Sequence, residues 1–456
     1  MFKTGQALNG IFHDKEFYFK MLKLSLPVMI QNLILSFLNM IDTVMVGKLG
    51  ETEIAAVGIA NQYFFFFNMF LIGVCAGCSV FIAQYWGKRD ITNIKRILGV
   101  GLVSTTVVSL AFMILGFFKP QEIIALFNKD SEVIDLGSRY LKVVLASYIF
   151  TGITFMYNFS LRSVGNAVQP MVISFIALLC NAFLNYVFIF GKFGAPVMGV
   201  GGAALATVIA RVIETTVLVV SIYYSRGVLA ASIKELTDIN LNYIKRAYQT
   251  ILPVILNDTC WGLASLVYSA VYGRMGTQAV ASIQICNTIF NLFMVAAFGL
   301  SSATAVMVGN SIGAGEEELG RDYARRYIIL SVLVGVLLGL SIAVASPLML
   351  GFFNVSETVK RSSQAILYIS SVTFFIRVLD VILIVGILRG GGDATRALII
   401  EGATMWFIGV PLSIIGAFVL RLPVHGVYAL TILEEIAKCI LSIMRVKSGK
   451  WINDVT

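Results

Sequence analysis

Charge is what this sequence has least of. Only 13% of its 456 residues are Asp, Glu, Lys or Arg, against 58% hydrophobic, with a mean hydropathy of +0.87. A soluble chain of this length could not cover its surface with so few charges, so the composition excludes an ordinary globular protein. Histidine is nearly absent. His13 and His425 are the only two, and the spans described below place them on opposite sides of a membrane, which excludes a histidine metal cluster. No phosphate-binding loop is present either: neither GKRD at 87–90 nor GAGEEELG at 313–320 has the G-K-[ST] ending. ATP hydrolysis is therefore not expected. The six cysteines all fall in apolar runs. Cys75 and Cys78 form a C-x-x-C beside Gly73 and Gly77, without the polar surroundings of a redox or zinc pair. No enzyme activity, cofactor or resident metal is expected from such a sequence.

What the chain does have is long apolar runs. About 20 apolar residues cross a bilayer as a helix, and such runs fall at 24–46, 54–83, 97–118, 140–161, 170–190 and 200–222. A second series lies at 251–272, 280–308, 327–351, 367–388, 398–419 and 423–444. The fold class expected is all-α integral membrane, with twelve transmembrane helices and little chain left for a soluble domain. The opening MFKTGQALNGIFHDKEFYFK has charges on both sides of its few apolar residues and no small-residue cleavage site, so it does not read as a signal peptide.

A net charge of +9 raises the question of a nucleic-acid partner, and its placement argues against one. With the amino terminus taken as cytoplasmic, the larger share of the basic residues lies in loops and tails on that side, including Lys88, Arg89, Lys95, Arg96, Arg162, Lys234, Lys245, Arg246, Arg321, Arg325, Arg389 and Arg445. Fewer lie opposite, among them Lys119, Lys129, Lys142 and Lys360. This is the positive-inside bias of a multi-pass protein of the cell membrane with both termini cytoplasmic. The basic residues orient the chain in its lipid bilayer, and no nucleic acid is expected as a partner.

Laid on itself with a shift of 226 residues, the sequence repeats. Leu26-Pro27 falls on Leu252-Pro253, Gly47 on Gly273, Gly73 on Gly299, Gly87 on Gly313 and Phe127-Asn128 on Phe353-Asn354. One inserted residue then carries LRSVGNA at 161–167 onto LRGGGDA at 388–394. Two six-helix halves follow: 1–224 as an N-terminal lobe, 225–250 as a polar cytoplasmic linker, and 251–456 as a C-terminal lobe. Because six is even, the halves are parallel repeats about an axis along the membrane normal, with a substrate route expected in the cleft between them. Pro27 and Pro253 are expected to start the first and seventh helices, where a missing backbone donor does no harm. GVGGAALA at 199–206 opens the sixth span with small residues suited to close helix packing.

Within the spans, ionisable residues are rare enough to name. Asp42 is the one carboxylate between Leu26 and Gly47. A charged aspartate at mid-membrane costs about 2.5–3.5 kcal/mol on insertion scales and usually faces a protein interior or a water-filled cavity. Two readings stand for it, a functional acid and a residue at the wet end of the first helix near Gly47. Asp258, beside Asn257 and five residues after Pro253, has the same two readings. Arg377 and Asp380 are three apart on the tenth span and are expected to neutralise each other, as are Arg211 with Glu214 and Glu434 with Lys438. The aromatic run YFFFFNMF at 63–70 suits either an organic-cation surface or packing against lipid and core.

The segment IDTVMVGKLG with the following AAVGIANQ, the LRSVGNA and LRGGGDA pair, and CNAFLNYVFIFGKFGAPVMGVGGAALAT at 180–207 together resemble the multidrug and toxic compound extrusion (MATE) family of secondary transporters, over about residues 20–445. The resemblance implies two lobes forming a V-shaped cleft, a monomer, and export of small organic, often cationic, compounds driven by inward flow of Na+ or H+. It implies that Asp42 is the first-span aspartate used in cation coupling, with transient Na+ as its only metal, and that Asn181 and Asn185 are its polar neighbours on the fifth span. The proton-driven archaeal branch has an aspartate where this chain has Asn185. The seventh-span glutamate of some members falls on Trp261 and the tenth-span aspartate on Val378, so Asn257, Asp258, Arg377 and Asp380 are left as a candidate polar site in the second lobe. The alternative is a lipid-linked saccharide flippase of related build, for which a cationic cleft toward pyrophosphate would be expected. The bases within the spans here are few, and each has an acid nearby.

Overall fold

In the computed structural model of this chain, residues 14–353 and 355–456 are described; His13 and Asn354 lie outside them. Among the described residues the secondary structure is helical, without strands. The first half runs α1 (Lys15–Gly47), α2 (Glu51–Lys88), α3 (Ile91–Phe118), the short α4 (Pro120–Ala125), α5 (Ser131–Val144), α6 (Ser147–Ser163), α7 (Val168–Phe190) and α8 (Gly199–Tyr224). A short α9 (Ile233–Thr237) sits in the linker, capped by Ser232 and Glu235, which satisfy each other's end of the helix. The second half runs α10 (Leu241–Met275), α11 (Thr277–Gly313), α12 (Glu317–Gly351), α13 (Glu357–Val381), α14 (Ala394–Thr404), α15 (Val410–Ile414) and α16 (Val424–Lys447). Stretches of π-helix at Ile382–Arg389, Met405–Gly409 and Ile415–Val419 join and extend α13, α14 and α15.

These helices are the twelve spans. Ten stretches are long and apolar enough to cross a membrane, and the pair α5 and α6, bent by 53°, makes an eleventh. The twelfth, α16, carries Glu434, Glu435 and Lys438 and so fails on composition alone. Glu435 pairs with Arg377, and Glu434 with Lys438, as described below.

The two prolines depart from expectation. Pro27 and Pro253 lie inside α1 and α10, not at their starts. The sequence before each, KEFYFKMLKLS and LNYIKRAYQTI, is polar enough to look like a loop yet continues the helix beyond the apolar boundary. A proline in a helix interior removes one backbone hydrogen bond and favours a bend.

The chain forms two compact units, and neither is simply one half of the sequence. One contains residues 1–29, 83–89 and 256–456, and the other 30–82 and 90–255. The first helix of each repeat is thus divided, α1 after Met29 and α10 after Ile255, and 29 and 255 are related by the same 226-residue shift. Glycines make the exchanged packing fit. In one unit a Cβ on Gly73 or Gly77 of α2 would stand 2.8 Å from the Cα of Ile255 or Ile251 of α10. In the other, a Cβ on Gly299 of α11 would meet Ser25 and Met29 of α1. Within that same unit Gly87 abuts the backbone of Asn310, and Gly313, its counterpart, abuts the backbone of Gln84, the counterpart of Asn310. The contact is self-complementary, as at a two-fold interface.

Residues 451–456 are built into the unit that holds the second half. Trp451 is fully buried against Gly391. The Gln84 side chain pairs with the tail as a strand would: its amide donates to the Asn453 carbonyl at 3.0 Å and its oxygen accepts from Val455 N–H at 2.8 Å. Asn453 N–H in turn donates to the Gly391 carbonyl at 2.8 Å, and Lys88 pairs with Asp454 at 2.9 Å. Gly392, at φ +84°, lies so close to the Asn453 carbonyl that a side chain there would collide with it.

Candidate functional site

Asp42 lies five residues before the end of α1, in the unit that holds residues 30–82 and 90–255. Its side chain is met from α7. Asn185 donates its amide to the Asp42 carboxylate at 2.5 Å and to the Asn181 side-chain oxygen at 3.0 Å. The two asparagines are four residues apart, one helical turn, and both are buried. The structure therefore brings together the three residues singled out in the sequence. It adds two neighbours that carry no signal in the sequence: Tyr140 of α5, buried and within the field of the Asp42 carboxylate, and Arg211 of α8, whose charge bears on the same carboxylate.

The cluster is rich in acceptor oxygens, and one of them lacks a donor. The side-chain oxygen of Asn185 is buried with no hydrogen-bond partner, beside a carboxylate that receives one amide. Hard monovalent and divalent cations prefer such carboxylate and amide oxygens. A proton on the carboxylate would serve the same electrostatic end.

One turn of α8 away, a second polar chain is closed on itself. Arg211 pairs with Glu214 at 2.7 Å, as expected from their spacing. Glu214 accepts from Ser174 at 3.1 Å, Ser174 accepts from Gln31 at 2.8 Å, and Gln31 accepts from Arg162 at 2.5 Å. Arg162, counted as a loop cation from the sequence, thus reaches into the unit. The aromatic run of α2 serves packing: Phe67 is fully buried and stacks on Tyr148 at 4.4 Å, with Tyr63 and Phe112 around it.

In the other unit the pairing expected on α13 is not made. Arg377 binds Glu435 of α16 at 2.6 Å and the Tyr428 hydroxyl at 3.1 Å, over the Phe290 ring, and Asp380 is turned away from it. Spacing along one helix identifies neighbours but not the carboxylate on the facing helix, one oxygen of which accepts from both Nε and Nη2 of the guanidinium. Asp258 is also not a wet helix-end residue. Since α10 begins at Leu241, Asp258 sits near mid-helix, paired at 2.6 Å with a buried Arg389 from the π-helix that the sequence had assigned to a loop. Asn257 donates to Glu401 at 2.5 Å, and Lys438 pairs with Glu434 at 2.7 Å, the latter as expected. Trp261 is exposed and Val378 fully buried, and neither side chain carries a carboxylate.

Comparison with known proteins bears on the family. A family model described as MatE matches residues 27–187 and again 253–415, the two starts being 226 residues apart. Among curated proteins, the chain is 26% identical to the probable multidrug resistance protein NorM of Thermotoga maritima, covering 95% of this chain and 92% of that one. It is 28% identical to the protein of the same description from Bradyrhizobium diazoefficiens, with 91% and 90% covered. Among solved structures, a mutant of the Vibrio cholerae MATE transporter VcmN superposes with a TM-score of 0.88 at 17% identity, over 96% of this chain and 98% of that one. With membrane-length apolar helices throughout the described residues and a repeat matched twice by one family model, this chain belongs to the MatE family of multi-pass membrane transporters.

Proposed function

We propose that the chain is a secondary active antiporter that exports small organic compounds, cationic ones foremost, in exchange for Na+ or H+. In this reading it works as a monomer in the cell membrane with both termini cytoplasmic, residues 1–224 and 251–456 forming its two lobes on either side of the 225–250 linker. The probable multidrug resistance proteins among its relatives support drug export. The observation that carries the coupling is the placement of Asp42 against Asn185 and Asn181, an ionisable group met by neutral amides within a span.

A carboxylate so placed alternates between two states. Binding of the coupling cation from outside neutralises Asp42, favours a rearrangement of α1 against the two asparagines of α7, and releases the exported compound. Only a difference in cation affinity between the two arrangements makes this coupling. The test is efflux of cationic dyes from proteoliposomes with the sodium and pH gradients imposed separately. Asp42→Asn is expected to insert normally and to lose nearly all gradient-driven efflux, and wild-type rates from that variant would overturn the mechanism. Orientation is tested by labelling sealed cells: Lys234 and Arg321 are expected to be protected, Lys129 and Lys360 to react.

A further inference from the structure

The unit that holds residues 256–456 contains a buried set of charges that does not balance. Two of its ion pairs are complete, Arg377 with Glu435 and Arg389 with Asp258. Around a third cation, Lys438 of α16, three carboxylates converge from three helices. Glu434 of α16 is at 2.7 Å and Glu401 of α14 at 3.9 Å, while Asp380 of α13 is within electrostatic range. All four side chains are nearly excluded from solvent.

Two observations single this set out. Asp380 is buried with neither carboxylate oxygen hydrogen-bonded, and the charges of Lys438, Glu434 and Glu401 bear on it. The Tyr268 hydroxyl of α10, which crowds Gly409 together with the Glu434 side chain, is likewise buried without a partner. The helices also distort here: π-helix begins two residues after Asp380 and four after Glu401, and such distortions recur at functional sites. Three acids against one ammonium leave a deficit of positive charge that only protons or ions from outside the chain can make good.

We propose that the Lys438 ammonium is the resident cation of a three-carboxylate site formed by Asp380, Glu401 and Glu434, occupying the position a monovalent metal ion would otherwise take, and that removing it creates a Na+ site there. Lysine supplies a compact point charge on a flexible stem, so the unit carries one of the cations that its three carboxylates call for. The inference goes beyond the antiport reading and does not depend on it.

The test is made in an Asp42→Asn background, which removes the other unit's acid, and reads stability instead of transport. Melting of purified protein in detergent is followed while NaCl replaces choline chloride at constant ionic strength. Asp42→Asn alone is expected to melt at the same temperature in both salts. Asp42→Asn with Lys438→Gln is expected to melt lower in choline chloride, because uncompensated buried carboxylates are costly, and to recover by several degrees, saturably, as Na+ binds the folded state. Adding Asp380→Asn should abolish that recovery. If Lys438→Gln gives no folded protein in choline chloride, adding Glu434→Gln, which drops a second charge of opposite sign, gives protein on which the same titration is made. Equal melting of the Lys438→Gln variant in the two salts overturns the proposal. So does failure to fold even in NaCl, an equally large Na+ response in Asp42→Asn alone, or recovery that survives Asp380→Asn.

Discussion

The surroundings of Asp42 and of Arg377 show two ways of keeping charge inside a membrane protein. Asp42 is met by an asparagine amide that it shares with a second asparagine. Arg377 is held by a carboxylate, a hydroxyl and an aromatic ring contributed by three other residues. A neutral partner leaves the carboxylate able to gain or lose a cation without stranding an opposite charge. A charged partner makes the same change expensive, since breaking a buried pair leaves one ion uncompensated. The first arrangement suits a group that changes state during a cycle; the second suits one that holds helices together.

The largest expected contrast comes from neutralising one acid in each unit. Asp42→Asn is expected to remove nearly all cation-driven dye efflux while leaving the folded yield unchanged, and Glu435→Gln, which strands Arg377, to lower the folded yield while reducing the efflux of the folded fraction much less. Equal losses, measured in proteoliposomes, would erase the distinction between the two kinds of site. Next in size is the cost of breaking an ion pair: Arg377→Gln is expected to lose about 3–5 kcal/mol, with most of it recovered in the double variant Arg377→Gln with Glu435→Gln. Folded yield by size-exclusion chromatography distinguishes this from a pairing with Asp380, which would be rescued by Asp380→Asn instead.

A smaller effect tests the exchanged packing. Adding a methyl at Gly313 or Gly87, where the opposing backbone leaves no room, is expected to cost about 1–3 kcal/mol at each. Gly273→Ala, where nothing lies within 4 Å, should leave the melting temperature in detergent unchanged. The smallest effect belongs to the linker. Glu235 is held at a pKa of about 2 by its hydrogen bond from Lys95 and those from Ser232. A depressed folded value means that its support of α9 is present above the ordinary glutamate pKa of 4.5 and is lost as pH falls toward 2. Protection of the amides at 233–237, taken as the exchange rate relative to the intrinsic rate at each pH, should fall over that range in wild type and stay constant in Glu235→Gln.

Much of this was legible in the sequence because hydrophobic length and the 226-residue repeat are local or periodic signals. The twelve spans and the Asp42, Asn181 and Asn185 grouping come from that level, the grouping through the family resemblance. What was not legible depends on facing helices. Arg377 lies three residues from Asp380 yet turns to Glu435, 58 residues on, because a guanidinium chooses by geometry in space. Arg389 looked like a loop cation because it borders a Gly-rich stretch, but the π-helix carries it inside to Asp258. Pro27 and Pro253 looked like helix starts because the polar lead-in before each carries no apolar signal of helix.

The pairing of Gln84 with residues 453 and 455 has a consequence for how the protein is made. Gln84 and Asn453 are 369 residues apart in the chain, and synthesis proceeds at about 5–20 residues per second. For roughly 20–70 s after Gln84 emerges from the ribosome, its side chain has no tail to bind. Over the same interval the groove at Gly391 has yet to receive Trp451 or has not itself been made. A buried amide left unpaired in lipid is costly, so during biogenesis the end of α2 must stay at the aqueous surface or be shielded by the insertion machinery. Residues 451–456 therefore complete a contact whose other half was made hundreds of residues earlier.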